Sequence, residues 1–392
     1  MKNRRIIIWK YLIPGLLSLG MVVACYFYWN MRFTFGYGDN QIRRISMVKH
    51  LLFPGDGGYG DVLAINVSYD RTLVPFHDEM GIPIGDIDIT DRVDMLRLMD
   101  SLSRWDNYRY IVCDVHFDTT ITTDIDSLLF HRIASMRDIV VATSEHNPSI
   151  LKDKLACAEY DQLTRGNRFV KYRFFAKDGS DSVPLRMWKD MEGGNLSRNG
   201  ILYRRNGRLA VNSVIPNLDY YPRMGWDDNG EKQIWNLGAD ILEEPMDMAP
   251  LFQDKIVLIG DWAEYDIHHT IRGPMPGTAI VYNAYLSLKK GANRIQWLVI
   301  LVLFLSFAGE LSYAFRYFWK ECPEKSRLNE FSQKYPLLDA LARLLASWLG
   351  YTGILWIVCT VIYLVEGFFV NAFIVGSIIA FVSPYLKRSG KK

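Results

Sequence analysis

The stretch Lys255–Gly291, KIVLIGDWAEYDIHHTIRGPMPGTAIVYNAYLSLKKG, decides the fold class. Ile256–Ile259 is an unbroken apolar run closed by Gly260, the pattern of a strand buried on both faces. A polar loop follows. Pro276-Gly277 then opens a helix that runs to Gly291. A strand with no polar face must be covered by helices on both sides, so the stretch points to an α/β sheet.

The same alternation extends upstream. DVLAINV (61–67), YRYIVCDVHF (108–117) and DIVVAT (138–143) read as further buried strands. Between them, DITDRVDMLRLMDSLSRW (88–105) reads as an amphipathic helix. Thr90 or Asp91 is its cap, and Val93, Leu96, Leu98, Met99 and Leu102 form its apolar face. DIDSLLFHRIASM (124–136) is the next helix, and Gln41–Phe53 an earlier one ended by Pro54 and a glycine cluster. Residues 158–250 are less periodic, with short strand-like pieces at RFVKYRFF (168–175) and RLAVNSV (208–214). The expectation is an α/β outer domain with a mixed, largely parallel sheet, plus a four-helix transmembrane region.

Charge separates the two parts. The chain has 392 residues and a formal net charge of +2, too balanced for a nucleic-acid binder. Residues 30–296 carry 37 acidic and 31 basic side chains and all seven histidines, whereas the flanks carry 6 acidic and 14 basic. An acidic middle between apolar, basic ends is the pattern of a membrane protein with a water-facing domain. Transmembrane helices are expected at 6–29, 297–315, 344–365 and 367–386. Ser347, Gly350, Gly353, Ala372, Gly376 and Ala380 allow close packing in the last two. The first span reads as an anchor rather than a cleaved signal, since its apolar run continues past Ala24-Cys25 through Trp29. Lys2, Arg4 and Arg5, the loop at 316–343 with Arg316, Lys320, Lys325, Arg327 and Lys334, and the tail at 387–392 with Lys387 and Arg388 carry the basic bias. That bias puts residues 1–5, the loop and the tail in the cytoplasm and residues 30–296 outside. Glu310, inside the second span, is expected to snorkel toward water or pair with Arg316. Cys113 and Cys157 share the outer compartment; burial as free thiols and a bridge between them are both open.

Here the residues support a resemblance. The closing segment resembles that of the CHASE domain, type 2. The match lies on the strand Lys255–Gly260, the loop Asp266–Thr270, the turn Pro276-Gly277 and Asn283 in the helix. Asp114 and Phe117 in the second long strand, and TDIDSLL (123–129) after it, agree more loosely. The resemblance covers residues 40–386. It implies an extracytoplasmic sensory domain of a bacterial inner-membrane protein, with one helix before it and three after. Such domains usually precede a cytoplasmic kinase or cyclase. No P-loop, kinase or cyclase motif is present here, so the output is expected from another chain. The first strand also departs from the family's acidic pair, ending Asn66-Val67-Ser68-Tyr69-Asp70.

Candidate ligand-binding residues follow two strands. Asp114, His116 and Asp118 alternate along one strand and so share a face, with Asp124 and Asp126 just beyond. Asp266, His268, His269 and Thr270 follow the Ile256–Gly260 strand. Both groups lie past carboxyl ends of strands, where open α/β sheets place ligands. Carboxylates and imidazoles together suit a divalent metal or acid–base chemistry, although the sequence specifies no metal and no cofactor. The competing reading is structural: helix capping and loop fixing. The first functional expectation is a non-enzymatic membrane sensor or accessory subunit. It would be surrounded by membrane lipid, expected as a homodimer, and paired with a separate cytoplasmic signalling protein or an envelope protein. The alternatives are an envelope docking protein, and a metal-dependent enzyme using Asp114, Asp124, Asp266 and His268.

Overall fold

A computed structural model describes residues 2–31, 36–55, 57–77, 80, 82–158, 168–226, 230–244, 247–317 and 336–389. The chain divides into two compact units, one of residues 32–207 and 212–293, the other of residues 1–31, 208–211 and 294–392.

The first unit is built on strands β1 (Val62–Asn66), β2 (Arg71–His77), β3 (Pro83–Thr90), β4 (Tyr110–Cys113), β5 (Ile139–Ala142) and β6 (Leu155–Ala156). Further along come β7 (Arg168–Phe169), β8 (Ile234–Asn236), β9 (Ile256–Gly260), β10 (Ile267–Thr270) and β11 (Gly273–Pro276). Six of them form the central sheet in the order β8-β1-β9-β4-β5-β6, and all its pairings are parallel. Antiparallel pairing is confined to small separate elements, among them the β2–β3 hairpin and β10–β11. The largely parallel α/β expectation is therefore met.

Alternation along the strands explains the layers. Leu63, Ile65, Ile111, Cys113, Ile139, Val141, Val257 and Ile259 share one buried cluster with helices α3 (Arg92–Trp105) and α4 (Asp126–Ser135). The intervening residues Ala64, Tyr110, Val112, Val140 and Leu258 are equally buried. They face the other layer, made by α5 (Val183–Glu192) and α6 (Gly277–Lys289). Tyr110 reaches into that layer, its hydroxyl donating to Asp190 Oδ2 of α5 at 2.7 Å. An earlier helix, α2 (Gly36–Leu52), precedes the sheet.

Asp91 caps α3 as its residue type predicts, accepting from the N–H groups of Val93 (2.8 Å) and Asp94 (3.0 Å). The buried face of α3 is Met95, Leu98, Met99 and Leu102. Val93 is half exposed at 50%, because a 3.6-residue period puts it off the stripe that Leu98 and Leu102 define. Residues 88–90, which lead into the cap, are the end of β3. The β2–β3 hairpin was not anticipated, since Pro75, Pro83 and Gly85 interrupt its alternation.

A polar clamp fixes α6. Asn283 is buried, and its Oδ1 accepts from Tyr220 N–H at 2.9 Å. Its Nδ2 donates to Tyr220 O (2.7 Å) and Ala279 O (2.8 Å). One side chain thereby satisfies both backbone groups of a segment that joins no strand at this point.

The second unit contains α1 (Lys2–Asn30), α7 (Trp297–Tyr317), α8 (Pro336–Glu366) and α9 (Ala372–Ser389). Among the described residues, two helices are long and apolar enough to cross a membrane, Leu12–Asn30 (19 residues) and Leu344–Glu366 (23 residues). Trp297–Tyr313 and Ala372–Val382 are shorter apolar helices. The helices share an apolar cluster that includes Trp29, Leu303, Phe307, Leu355 and Ile379. Gly376 lies against the Cα of Thr352, where a Cβ would sit only 3.1 Å away, so this small residue does permit a close approach. Gly350 and Gly353 meet no such contact among the described residues. Residues 367–371 separate α8 from α9, a longer break than the sequence suggested, and Asn371 caps α9 through Phe373 N–H at 3.1 Å. Glu310 is 7% exposed, and neither carboxylate oxygen has a hydrogen-bond partner among the described residues; the side chain of Arg316, its expected partner, lies outside them. The basic residues Lys320, Lys325, Arg327 and Lys334, with Cys322, lie outside the described residues, as do Lys391 and Lys392.

Replacing Asn283 by Leu keeps the branched shape but strands Tyr220 N–H and C=O in the interior. The expected cost is about 2–4 kcal/mol, read as a lowered midpoint in denaturant unfolding of the full-length protein. Asn283→Asp keeps the acceptor for Tyr220 N–H but sets a buried carboxylate against the Tyr220 and Ala279 carbonyls, and should lose at least as much.

Candidate functional site

The loops at the carboxyl edge of the central sheet enclose a cleft of about 510 Å³. Two structures build it. The first is a fully bonded network joining β1 to β9. Asn66 Oδ1 accepts from Ser68 N–H (3.1 Å) and Trp262 N–H (3.0 Å), while Asn66 Nδ2 donates to Asn236 Oδ1 on β8 at 3.0 Å. Ser68 Oγ lies 2.6 Å from both Asn66 Oδ1 and Asp261 Oδ1. Asp261 also accepts from the N–H groups of Ala263 (3.1 Å), Glu264 (2.9 Å) and Tyr265 (3.1 Å). Burial alone would raise its pKa, but Ser68 and these three N–H groups outweigh it and hold the carboxyl below the usual range. Asp261 is thus an ionised anchor that shapes the loop toward Asp266.

The second structure is the cleft floor. The parallel ladder ends when Asp114 N–H donates to Ile259 O at 2.8 Å, because β9 and β5 stop there. Asp114 Oδ2 accepts from Thr278 Oγ1, in the first turn of α6, at 2.8 Å. Asp266 Oδ1 lies 2.6 Å from His268 Nε2, and its backbone carbonyl accepts from Gly277 N–H at 2.8 Å. Desolvation, followed by the neighbouring Asp266 carboxylate, pushes the Asp114 carboxyl up to about 7 against the opposing effects of Thr278 and His268. Glycines allow this closeness. A Cβ on Gly260 would fall 2.1 Å from Thr278 Oγ1, and one on Gly277 2.1 Å from Asp266 Oδ2.

One wall belongs to the unanticipated hairpin. Arg71 Nε donates to Asp88 Oδ2 at 3.0 Å and Nη2 to Asp88 O at 2.8 Å, with the guanidinium 4.5 Å from the centre of the Tyr265 ring. Val67, Ile89, Val115 and Val281 give the cleft its apolar surface.

Of the nine residues proposed from sequence, Asp114, His116, Asp266 and His268 line this cleft. The other five do not. The strand ends at Cys113, so Asp114, His116 and Asp118 no longer alternate along one ladder. Asp118 accepts from Thr120 N–H (2.8 Å) and Oγ1 (2.7 Å), fixing its own turn. Asp124 is exposed. Asp126 is buried, accepts from Thr123 and faces Arg92 at 3.5 Å. His269 is exposed, and Thr270 is spent on the turn, donating to Gly273 O at 2.7 Å. Cys113 is a buried free thiol, so no bridge joins it to Cys157. Among the described residues, no group of three or more His, Cys, Asp or Glu side chains is placed to hold a metal ion.

The sequence reading missed Arg71, Asp88, Asp261, Tyr265 and Thr278. Asp261 and Thr278 carried a usable signal, since each sits immediately past a strand end or at a helix start.

The raised Asp114 has a thermodynamic signature. A carboxyl raised in the folded state contributes stability that is present below the unfolded pKa of ~4 and lost as pH rises through ~7. Asp114→Asn should therefore match the wild type at pH 4 and exceed it at pH 8 by on the order of 1–4 kcal/mol. Unfolding midpoints across that range measure the difference, and parallel curves would refute the assignment. Compared with known proteins, the chain matches no family model, no curated protein and no solved structure.

Proposed function

We propose that this chain is an integral membrane sensory or accessory protein whose α/β domain lies outside the cytoplasmic membrane and binds a small polar molecule or ion in the cleft. The observation that carries the reading is the cleft floor, where Asp114 and Asp266 with His268 sit beside apolar side chains at the carboxyl edge of a parallel sheet. An under-compensated carboxylate in a cavity of this size favours a cationic or hydrogen-bond-donating ligand.

Four spans, with both ends cytoplasmic, fit the Lys/Arg bias, and the two long apolar helices support a membrane location. The resemblance to the CHASE domain, type 2, supports the sensory role. Chain connectivity supplies a route for the signal. Thr278 opens α6, α6 ends at Lys289, and α7 begins at Trp297. A ligand that competes for Asp114 acts on the first turn of the helix that leads to the membrane segments. Such a ligand shifts the population only if it binds two helix arrangements unequally, and a cytoplasmic signalling partner then reads the difference. The metal-dependent enzyme reading is weaker, because Asp124 stands outside the cleft.

A thermal-shift screen of the detergent-solubilised full-length protein against small amines, amino acids and divalent cations tests the proposal. A hit should be lost, with at least a tenfold weaker apparent Kd, in both Asp114→Asn and His268→Ala. Hits that ignore both substitutions would sink the cleft as the sensory site.

A further inference from the structure

A second cavity, of about 320 Å³, opens past the ends of β5 and β6 and is distinct from the acidic cleft in its chemistry. Its walls carry hydroxyls, an amide and cations: Thr143, Asn147, Arg173, Lys177 and Ser182. Ser182 occupies the N-cap of α5, a helix of ten residues, yet its side chain makes no capping bond. That is unusual for serine at this position, where the hydroxyl normally accepts from the second or third helical N–H. Ser182 is only 2% exposed, and its Oγ has no hydrogen-bond partner among the described residues. A buried hydroxyl without a partner is costly, and few native structures leave one so.

We propose that this cavity is an oxyanion site, taking the phosphate, sulfate or carboxylate group of a small ligand at the N-terminus of α5. The positive end of the helix dipole favours an anion there, and Ser182 Oγ–H supplies a donor that nothing else uses. Lys177 is exposed at the rim and adds a mobile charge. Arg173 has a partner of its own within the fold and contributes its field rather than a free donor. The acidic neighbours are already committed. Asp178 Oδ1 accepts from Ser180 N–H (2.9 Å) and Oγ (2.7 Å), and Asp181 pairs with Lys189 at 2.7 Å. The cavity residues thus carry one more positive than negative charge, the reverse of the cleft beside Asp114. This inference stands independently of the sensory reading.

The test is titration of the detergent-solubilised full-length protein with inorganic phosphate, sulfate or acetate at constant ionic strength, reading the unfolding midpoint. The wild type should show a saturable rise with at least one of the three. Free anion at 100 times its Kd stabilises the folded state about 100-fold. Ser182→Ala should unfold no earlier than the wild type without anion, because it removes an unsatisfied group, yet bind about tenfold more weakly. Lys177→Ala should weaken binding similarly, while Asp114→Asn leaves the response intact. The proposal is overturned if no anion gives a saturable response, if both cavity variants respond like the wild type, or if Asp114→Asn abolishes the effect.

Discussion

A six-stranded parallel sheet buried on both faces leaves charged side chains no place within its central ladder. Every residue of β4, β5 and β9 is buried, and each is apolar, aromatic, a thiol or glycine. The chain can introduce charge only where the strands stop, and there it introduces a great deal. The carboxyl edge of the sheet holds Asn66, Ser68, Asp114 and Asp261, and the loops that leave it hold His116, Asp266 and His268. Loop geometry at this edge is therefore decided by electrostatic satisfaction rather than by packing.

Two aspartates show how differently that requirement is met. Asp114 and Asp261 each follow the last residue of neighbouring strands, β4 and β9. Asp261 gathers Ser68 and three backbone N–H groups, and stays ionised as part of the scaffold. Asp114 has Thr278 and a like-charged neighbour in Asp266, and is held reluctant to ionise. The satisfied carboxylate builds the site, whereas the unsatisfied one offers a free-energy difference for a ligand to exploit. The hairpin wall follows the same logic, with Arg71 neutralised by Asp88 and stacked on Tyr265 so that it presents a flat, oriented surface.

Strands β1, β4, β5 and β9 were legible as unbroken apolar runs, whereas the short edge strands β6 and β8 were not. Helices α3 and α4 showed the 3.6-residue period, α6 its Pro-Gly start, and Asp91 stood where a cap was needed. The hairpin was not legible, since among its described residues only Val74, Ile89 and Thr90 are buried and little apolar pattern remains. Helix α5 was overlooked although Ser182, Pro184 and Gly193 mark its two ends as such residues usually do. Half of the candidate site was found by asking which polar residues follow strands. The rest depended on which strand sits beside which, and the insertion of β9 between β1 and β4 is a tertiary choice that spacing does not encode. The same limit explains why Asp118, Asp124, Asp126, His269 and Thr270 were included: each has the right chemistry, and local turns consume it.

The position of β9 has a kinetic implication. It is the last strand of the central sheet along the chain, yet it fills an interior place, and Ser68 meets Asp261 across 193 residues of sequence. Until that late segment emerges, β1 and β4 have no common neighbour and their edges stay open. The domain must wait for nearly its whole length before its core can close, which makes it a slow folder of high contact order. A nascent chain held at this stage exposes two apolar strand edges, and during that interval it depends on whatever shields unpaired strands from one another.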